Sequence, residues 1–255
     1  MARLHTIYRT LFALLLLGIV AIVCASLGNW QLDRAAQRIA IKHAIDSGRN
    51  SPPLHIEPNT PPQALTPWRP ASAHGVWRHE FTVLLENRNY QGRPGYWVAT
   101  PLMLDPATAV LVLRGWLPRP ASIEQPLPPI PTPNAEQTIT GELLSRVPRL
   151  FELSGATQLP AHLPDPANTL PRVQNLGLDA YAAATGLKFI PAVLAQTADA
   201  AQAQDTASTP LLREWPEPSL DADKNKGYAL QWFSFAAIAA IAWLVIAWRA
   251  LRRRH

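Results

Sequence analysis

The chain has 255 residues, 48% of them hydrophobic, with 23 Lys and Arg against 18 Asp and Glu and a net charge of +5. Located along the chain, that excess does not read as a nucleic-acid footprint: Arg3, Arg9, Arg249, Arg252, Arg253 and Arg254 hold it at the two ends, and every acidic residue lies between two apolar runs. Cys24 is the only cysteine, which excludes an internal disulfide, a CxxC copper or redox site and a CxxCH haem attachment.

Arg3 and Arg9 precede the first apolar run, Leu11 to Leu27. A charged start before an apolar stretch is also the pattern of a signal peptide. This run is longer than a signal core and no A-x-A site closes it, so it reads as an uncleaved anchor. Cys24 lacks the small-residue approach of a lipoprotein site. Gly28 to Ile45 has loose helical spacing, with Arg34, Arg38 and Lys42 one turn apart. Such a row is a solvated face or, alternatively, a contact for lipid headgroups. Trp30 is placed as an interfacial anchor.

Ser51 to Pro70 carries Pro52, Pro53, Pro58, Pro61, Pro62, Pro67 and Pro70 and reads as an extended connector. Strand character follows at His79–Tyr90 and Gly95–Leu104, joined by turn chemistry at Gln91-Gly92-Arg93-Pro94. Val110 to Leu117 is continuously apolar, as a strand buried on both faces would be. Pro118 to Pro133 is a second proline-rich loop. Thr138 to Leu144 alternates as a strand, and Leu178 to Thr185 is a short helix capped by Asp179 and closed by Gly186. Lys188 to Ala195 returns to strand, with Pro191 assigning it to an edge. Gln196 to Pro210 is low-complexity and reads as a flexible loop. Leu211 to Trp215 is a candidate last strand.

The second apolar run, Tyr228 to Trp248, has no charge and no proline. A bilayer core of about 30 Å takes roughly 20 such residues as a helix. Trp248 at one end and Tyr228 and Trp232 at the other suit the interfaces, and Arg249 and the arginines after it mark a cytoplasmic end. Two spans then place both termini in the cytoplasm. The expected organisation is a cytoplasmic 1–10, a span 11–27, a periplasmic domain 28–227, a span 228–248 and a basic cytoplasmic tail 249–255. The expected fold is two transmembrane α-helices flanking a mostly antiparallel β (α+β) domain, a sheet or small barrel. Ala229, Ser234, Ala236, Ala240 and Ala247 offer small residues for helix packing.

Motifs for chemistry are missing. None of His5, His43, His55, His74, His79, His162 and His255 forms HxxxH or pairs with a carboxylate at metal-ligand spacing. His74 and His79, in one strand, would face opposite sides. Ser154-Gly155 is no nucleophile elbow, and there is neither a phosphate loop nor GxGxxG. No catalytic residue and no metal site are therefore assigned, and the chain is not read as an enzyme. Arg88 and Arg114 interrupt apolar strands. A buried guanidinium needs partners, so each is either a structural salt bridge or carbonyl clamp, or a positive site for a carboxylate or propionate.

Four blocks now align with a known pattern. Gly28-x-Trp30-Gln31-Leu32-x-Arg34 resembles the surfeit locus protein 1 family of cytochrome c oxidase assembly factors. So do Asn87-Arg88 followed by Gly95-Tyr96 and Thr100-Pro101-Leu102, then Leu113-Arg114-Gly115-Trp116-Leu117-Pro118, and finally Gly227-Tyr228-Ala229-Leu230-Gln231-Trp232-Phe233. The resemblance implies a bacterial inner-membrane protein that assists haem a delivery to, or insertion into, the oxidase catalytic subunit. The partners it implies are that subunit, other assembly factors and membrane lipid, and no turnover reaction. In some bacterial members a histidine three residues before the tyrosine is implied to bind haem a; here Asn225 stands there, a departure from the pattern. Lys224, Lys226, Tyr228, Gln231 and Trp232 remain as the residues that would meet haem. Trp30, Gln31, Arg34, Asn87, Arg88, Arg114, Gly115 and Trp116 are the expected structural or interaction residues. A membrane-tethered periplasmic ligand-binding or sensor module unrelated to the oxidase is the alternative reading, and a periplasmic hydrolase a further one for which no nucleophile stands out.

Overall fold

A computed structural model describes the chain except residues 1, 123–124, 132, 152–157, 166–168, 198–210 and 253–255, together with the side chains of residues 2–6. The sequence-predicted loop at 196–210, the Ser154-Gly155 pair and the last arginines therefore lie largely outside the described residues. Two compact units make up the chain: residues 1–43 with 218–255, and residues 44–217.

In the first unit, helix α1 (Ala2–Arg49) runs without a break through the point where its apolar run ends. Gly28 alone does not stop it, because a single helical glycine costs only about 1 kcal/mol. The helix ends just before Ser51-Pro52, where the residue preceding a proline is pushed out of the helical region. Helix α3 (Ala222–Arg252) is the second apolar helix. Both are long and apolar enough to cross a membrane, and only 11% of each apolar window is buried, so neither is the core helix of a soluble domain. Leu11, Leu15, Ile19 and Ile22 on α1, and Leu230, Ile238, Ile241 and Leu244 on α3, point outward. Apolar surface of that extent is suited to lipid rather than water, and the chain is that of a membrane protein.

In the second unit the strands are β1 (Leu54–Ile56), β2 (Pro70–Trp77), β3 (Val83–Tyr90), β4 (Arg93–Met103), β5 (Thr108–Pro118), β6 (Gln137–Leu144), β7 (Arg172–Val173) and β8 (Lys188–Gln196). Helix α2 (Leu178–Thr185) lies between the last two. Strands β2, β6, β8, β5 and β4 pair in that order, and β2 pairs back on β4, closing a five-stranded barrel. Four of these contacts are antiparallel, and β5–β8 is parallel. Strands β1, β3 and β7 extend the sheet beyond the barrel. A cluster drawn from all five barrel strands fills the interior, with Ala73, Trp77, Leu102, Val110, Val112, Ile139 and Leu194 among its members. A second cluster packs on the outside, where Trp97, Leu111, Leu113, Trp116 and Tyr181 of α2 meet. Strand β5 is thus buried on both faces, as its uninterrupted apolar run predicts.

The β3–β4 hairpin turns on Gln91 and Gly92, both at positive φ, the two-residue geometry that matches strand twist. Strand β2 left no apolar alternation in the sequence, because Ala71, Ala73 and Gly75 are among its inward residues. A Cβ on Gly75 would lie 1.9 Å from the Met103 carbonyl, so glycine is what lets β2 reach β4 and close the ring.

Several expectations are corrected. The proline-rich connector holds a short edge strand, β1, and a 3-10 turn at Pro62–Ala64. His79 lies in a 3-10 turn (His79–Phe81), not in a strand with His74. Strand β8 is no edge strand. Pro191 falls where the β5–β8 register shifts and before the β6–β8 ladder begins at Val193, so its missing N–H costs no ladder bond. Helix α2 has the predicted bounds and Gly186 at φ 70°, but Gly177 is its N-cap and Asp179 makes no side-chain cap. Leu211–Trp215 contributes one bridge, Leu212 to Trp116, rather than a strand.

Candidate functional site

Within the barrel unit, both buried arginines sit at β-bulges. Leu85 pairs with Trp97 but Arg88 with Gly95, so β3 carries one extra residue there, and Asn87 takes φ 60°. Val98 pairs with Gly115 but Ala99 with Leu113, so Arg114 is the extra residue of β5, and Gly115 takes φ 147°. A bulge re-aims a side chain at the cost of a local kink. Asn87-Arg88 and Arg114-Gly115 are thus the same device used twice: an arginine beside the residue whose backbone absorbs the kink.

The Arg88 guanidinium stacks on Trp97 at 4.4 Å and donates through Nη2 to the carbonyls of Pro148 (2.9 Å) and Gln174 (3.0 Å). Arg114 stacks on Trp77 at 4.6 Å and donates through Nη2 to the Pro131 carbonyl at 2.6 Å. The carbonyl-clamp alternative therefore holds, and no carboxylate pairs with either among the described residues. Burial pulls each guanidinium down to about 10, with Arg213 adding to the effect at Arg114. Arg88 Nε and Arg114 Nη1 are buried without a hydrogen bond. Trp116 Nε1 donates to the Arg88 carbonyl at 2.7 Å, tying the two motifs together.

Within the helical unit, α1 and α3 run antiparallel. A buried or half-buried row on α1, including Gly18, Cys24, Gly28, Gln31, Ala35 and Arg38, faces one on α3 that includes Ala222, Asn225, Ala229, Phe233 and Ala239. Asn225 Nδ2 donates to Gln31 Oε1 at 2.6 Å. Arg38 Nη1 donates to the Asp221 carbonyl at 2.7 Å, so this arginine is not simply solvated. Arg34 covers Trp30, one turn away on α1. Ala240 and Ser234 face outward, and Ser234 bonds its own helix at Leu230. Ala229 and Ala239, not Ala240, carry the close packing.

The sequence-predicted residues around the α3 start do not converge on one cavity. Lys224 and Lys226 pair with Asp221 and Asp223 on the same exposed turn, at 3.1 and 3.0 Å. Tyr228 and Gln231 are exposed, and Trp232 packs edge-on against Phe235. Asn225, at the position of the expected histidine, has its amide engaged by Gln31. An amide is a poor iron ligand beside imidazole or thiolate, so the residues present do not fit axial haem ligation at this point. No group of three or more His, Cys, Asp or Glu that could hold a metal occurs among the described residues. Sequence reasoning missed Trp77 and Trp97 as platforms for the arginines and His79 as a neighbour of Arg114. Those contacts join distant strands, and no local spacing signals them.

Comparison with known proteins covers nearly the whole chain. It matches the SURF1 family over residues 18–237, which takes in the barrel and most of both helices' packing rows. It is 26% identical over 263 aligned residues to an uncharacterised SURF1-like protein of Mycobacterium bovis and to counterparts in two strains of Mycobacterium tuberculosis, across 100% of this chain and 90% of theirs. The family is tied to cytochrome oxidase assembly, and its members are assembly factors rather than known enzymes. With two membrane-length helices, a closed barrel and a match over 18–237, the chain belongs to the SURF1 family.

Proposed function

We propose that this protein is a membrane-anchored, non-catalytic assembly factor for a haem–copper cytochrome c oxidase, assisting haem a delivery to or insertion into the catalytic subunit. The single observation that carries the reading is the family match across residues 18–237. In this reading both termini are cytoplasmic, residues 28–227 are periplasmic, and the arginines flanking the spans hold the orientation. The partners are the catalytic subunit and other assembly factors. The barrel and the helix pair act by binding and positioning, and Asn225 leaves axial ligation of any haem to another residue or another protein. Deleting the gene should lower haem a content and oxidase activity while haem synthesis continues. Normal oxidase in the deletant, or failure of the tagged protein to co-purify with oxidase subunits, overturns the reading.

A further inference from the structure

We propose that the outward face of α3 pairs two copies of this chain in the membrane, with the Gln231 amides of the two copies bonded to each other. The apolar run Tyr228 to Trp248 carries two aliphatic polar side chains, Gln231 and Ser234. Ser234 is satisfied within its own helix, donating to the Leu230 carbonyl at 2.8 Å. Gln231 is exposed, and its amide has no hydrogen bond among the described residues.

The same helix shows what an amide does when a neighbouring helix is at hand. Asn225 faces α1, and its Nδ2 donates to Gln31 at 2.6 Å. Gln231 stands six residues on, about 240° round the helix, on a side that α1 leaves bare. An amide left among acyl chains without a partner is costly. It carries donors and an acceptor together, so a second amide can both give to it and take from it.

Membrane insertion selects that second amide. Two copies of one chain cross the bilayer in the same direction and hold each residue at the same depth. Two α3 helices side by side are therefore parallel and in register, and Gln231 meets its own counterpart. Any other helix would need a polar group placed at that depth. The rest of the face fits such a pair. Gln231, Ser234, Ile238, Ile241, Val245 and Trp248 follow at alternating steps of three and four residues, and all six are exposed. That spacing is the seam of a left-handed helix pair, the common crossing in membranes. The contact uses the same patch on both copies, so it closes at two. The proposal does not rest on oxidase assembly.

The test cross-links the purified full-length protein in vesicles of phosphatidylethanolamine and phosphatidylglycerol at a high lipid-to-protein ratio. Ser234→Cys and Ala240→Cys are introduced separately into a Cys24→Ala background and oxidised. Covalent dimer is expected from Ser234→Cys and little from Ala240→Cys, which lies off the seam. Adding Gln231→Leu to Ser234→Cys should weaken dimerisation by about threefold or more, the effect of losing one interhelical hydrogen bond. Gln231→Asn, which keeps an amide, should restore part of it. Equal cross-linking at positions 234 and 240, or none at 234, overturns the proposal, and this comparison needs no change at Gln231. A dimer yield that Gln231→Leu leaves unchanged also overturns it, because headgroups or water then satisfy the amide.

Discussion

The indole nitrogen of Trp116 on β5 donates a 2.7 Å hydrogen bond to the backbone oxygen of Arg88 on β3, across the intervening strand β4. The two bulges therefore support each other. One sets the carbonyl that the other's tryptophan needs, and Tyr90 packs against that indole at 5.3 Å. Trp116→Phe keeps most of the packing but leaves the Arg88 carbonyl without this donor. It should cost about 1–3 kcal/mol, the usual range for an unsatisfied buried group. Denaturant unfolding of the barrel, followed by circular dichroism, measures it, and an unchanged midpoint would mean that water replaces the indole.

Gly95 is where β4 passes beneath that tryptophan. A Cβ there would meet the Trp116 ring at 2.3 Å and the Leu117 carbonyl at 2.4 Å, and the carbonyl belongs to backbone that cannot swing aside. Gly95→Ala should destabilise the barrel by about 3 kcal/mol, at the upper end of overpacking costs. Gly227→Ala, with nothing within 4 Å, should leave stability intact or raise it. Similar losses from both changes would count against the close approach at Gly95.

Burial lowers the His79 pKa from its ordinary 6.5, and nearby Arg114 acts in the same direction. The folded protein therefore holds the neutral imidazole, while the unfolded chain protonates first as pH falls. The stability from this residue is full above about pH 6.5 and is lost below it, through the lowered folded value. Comparing unfolding at pH 7.5 and pH 5 for the unaltered chain and His79→Gln isolates the contribution. The variant should lose less stability on acidification, and parallel losses would assign the effect to other groups.

The helix pair gives a contrast between two adjacent alanines. Ala239 is 5% exposed in the α1–α3 contact, whereas Ala240 faces outward. Ala239→Phe should weaken pairing of the helices, and Ala240→Phe should be tolerated. Gly28→Leu should also weaken pairing, because a Cβ at Gly28 would lie 2.7 Å from the Phe233 ring. Phe233→Ala should restore it. Disulfide trapping between single cysteines placed on the two helices of a Cys24→Ala background reads out the packing, and equal trapping in all variants would dismiss this contact.

Gln31 and Asn225 form a side-chain to side-chain hydrogen bond between α1 and α3. Both residues lie just outside the apolar spans, where a side-chain hydrogen bond contributes about 0.5–1.5 kcal/mol net. A double-mutant cycle with Gln31→Leu and Asn225→Leu, measured by unfolding in mixed micelles, should return a coupling in that range. Additive effects would mean that each amide is satisfied elsewhere.

Much of the scaffold was legible in the sequence. The two apolar helices, the helix at Leu178–Thr185 and most barrel strands follow from runs and alternation, because those residues bury apolar faces locally. Strand β2 was hidden, since small inward residues carry no hydrophobic signal, and Pro191 argued for an edge that the register shift makes unnecessary. The site was less legible. Arginine inside an apolar strand announces a need for partners at Arg88 and Arg114, but the indoles and carbonyls that hold them come from distant segments. The four motif blocks were visible, while the reason that arginine neighbours Asn87 and Gly115 appears only once strand pairing reveals the extra residues.

Those two extra residues bear on how the chain finds its fold. A plain β-ladder can slip by a residue and exchange its two faces, and a closed ring built from contacts far apart in sequence gives such slips time to occur. With an unpaired residue just before Arg88 in β3 and Arg114 unpaired in β5, and each arginine braced by an indole, a slipped ladder would strand an arginine among aliphatic side chains. The bulges act as pawls on a ratchet, leaving the nascent chain a single register in which the ring can shut.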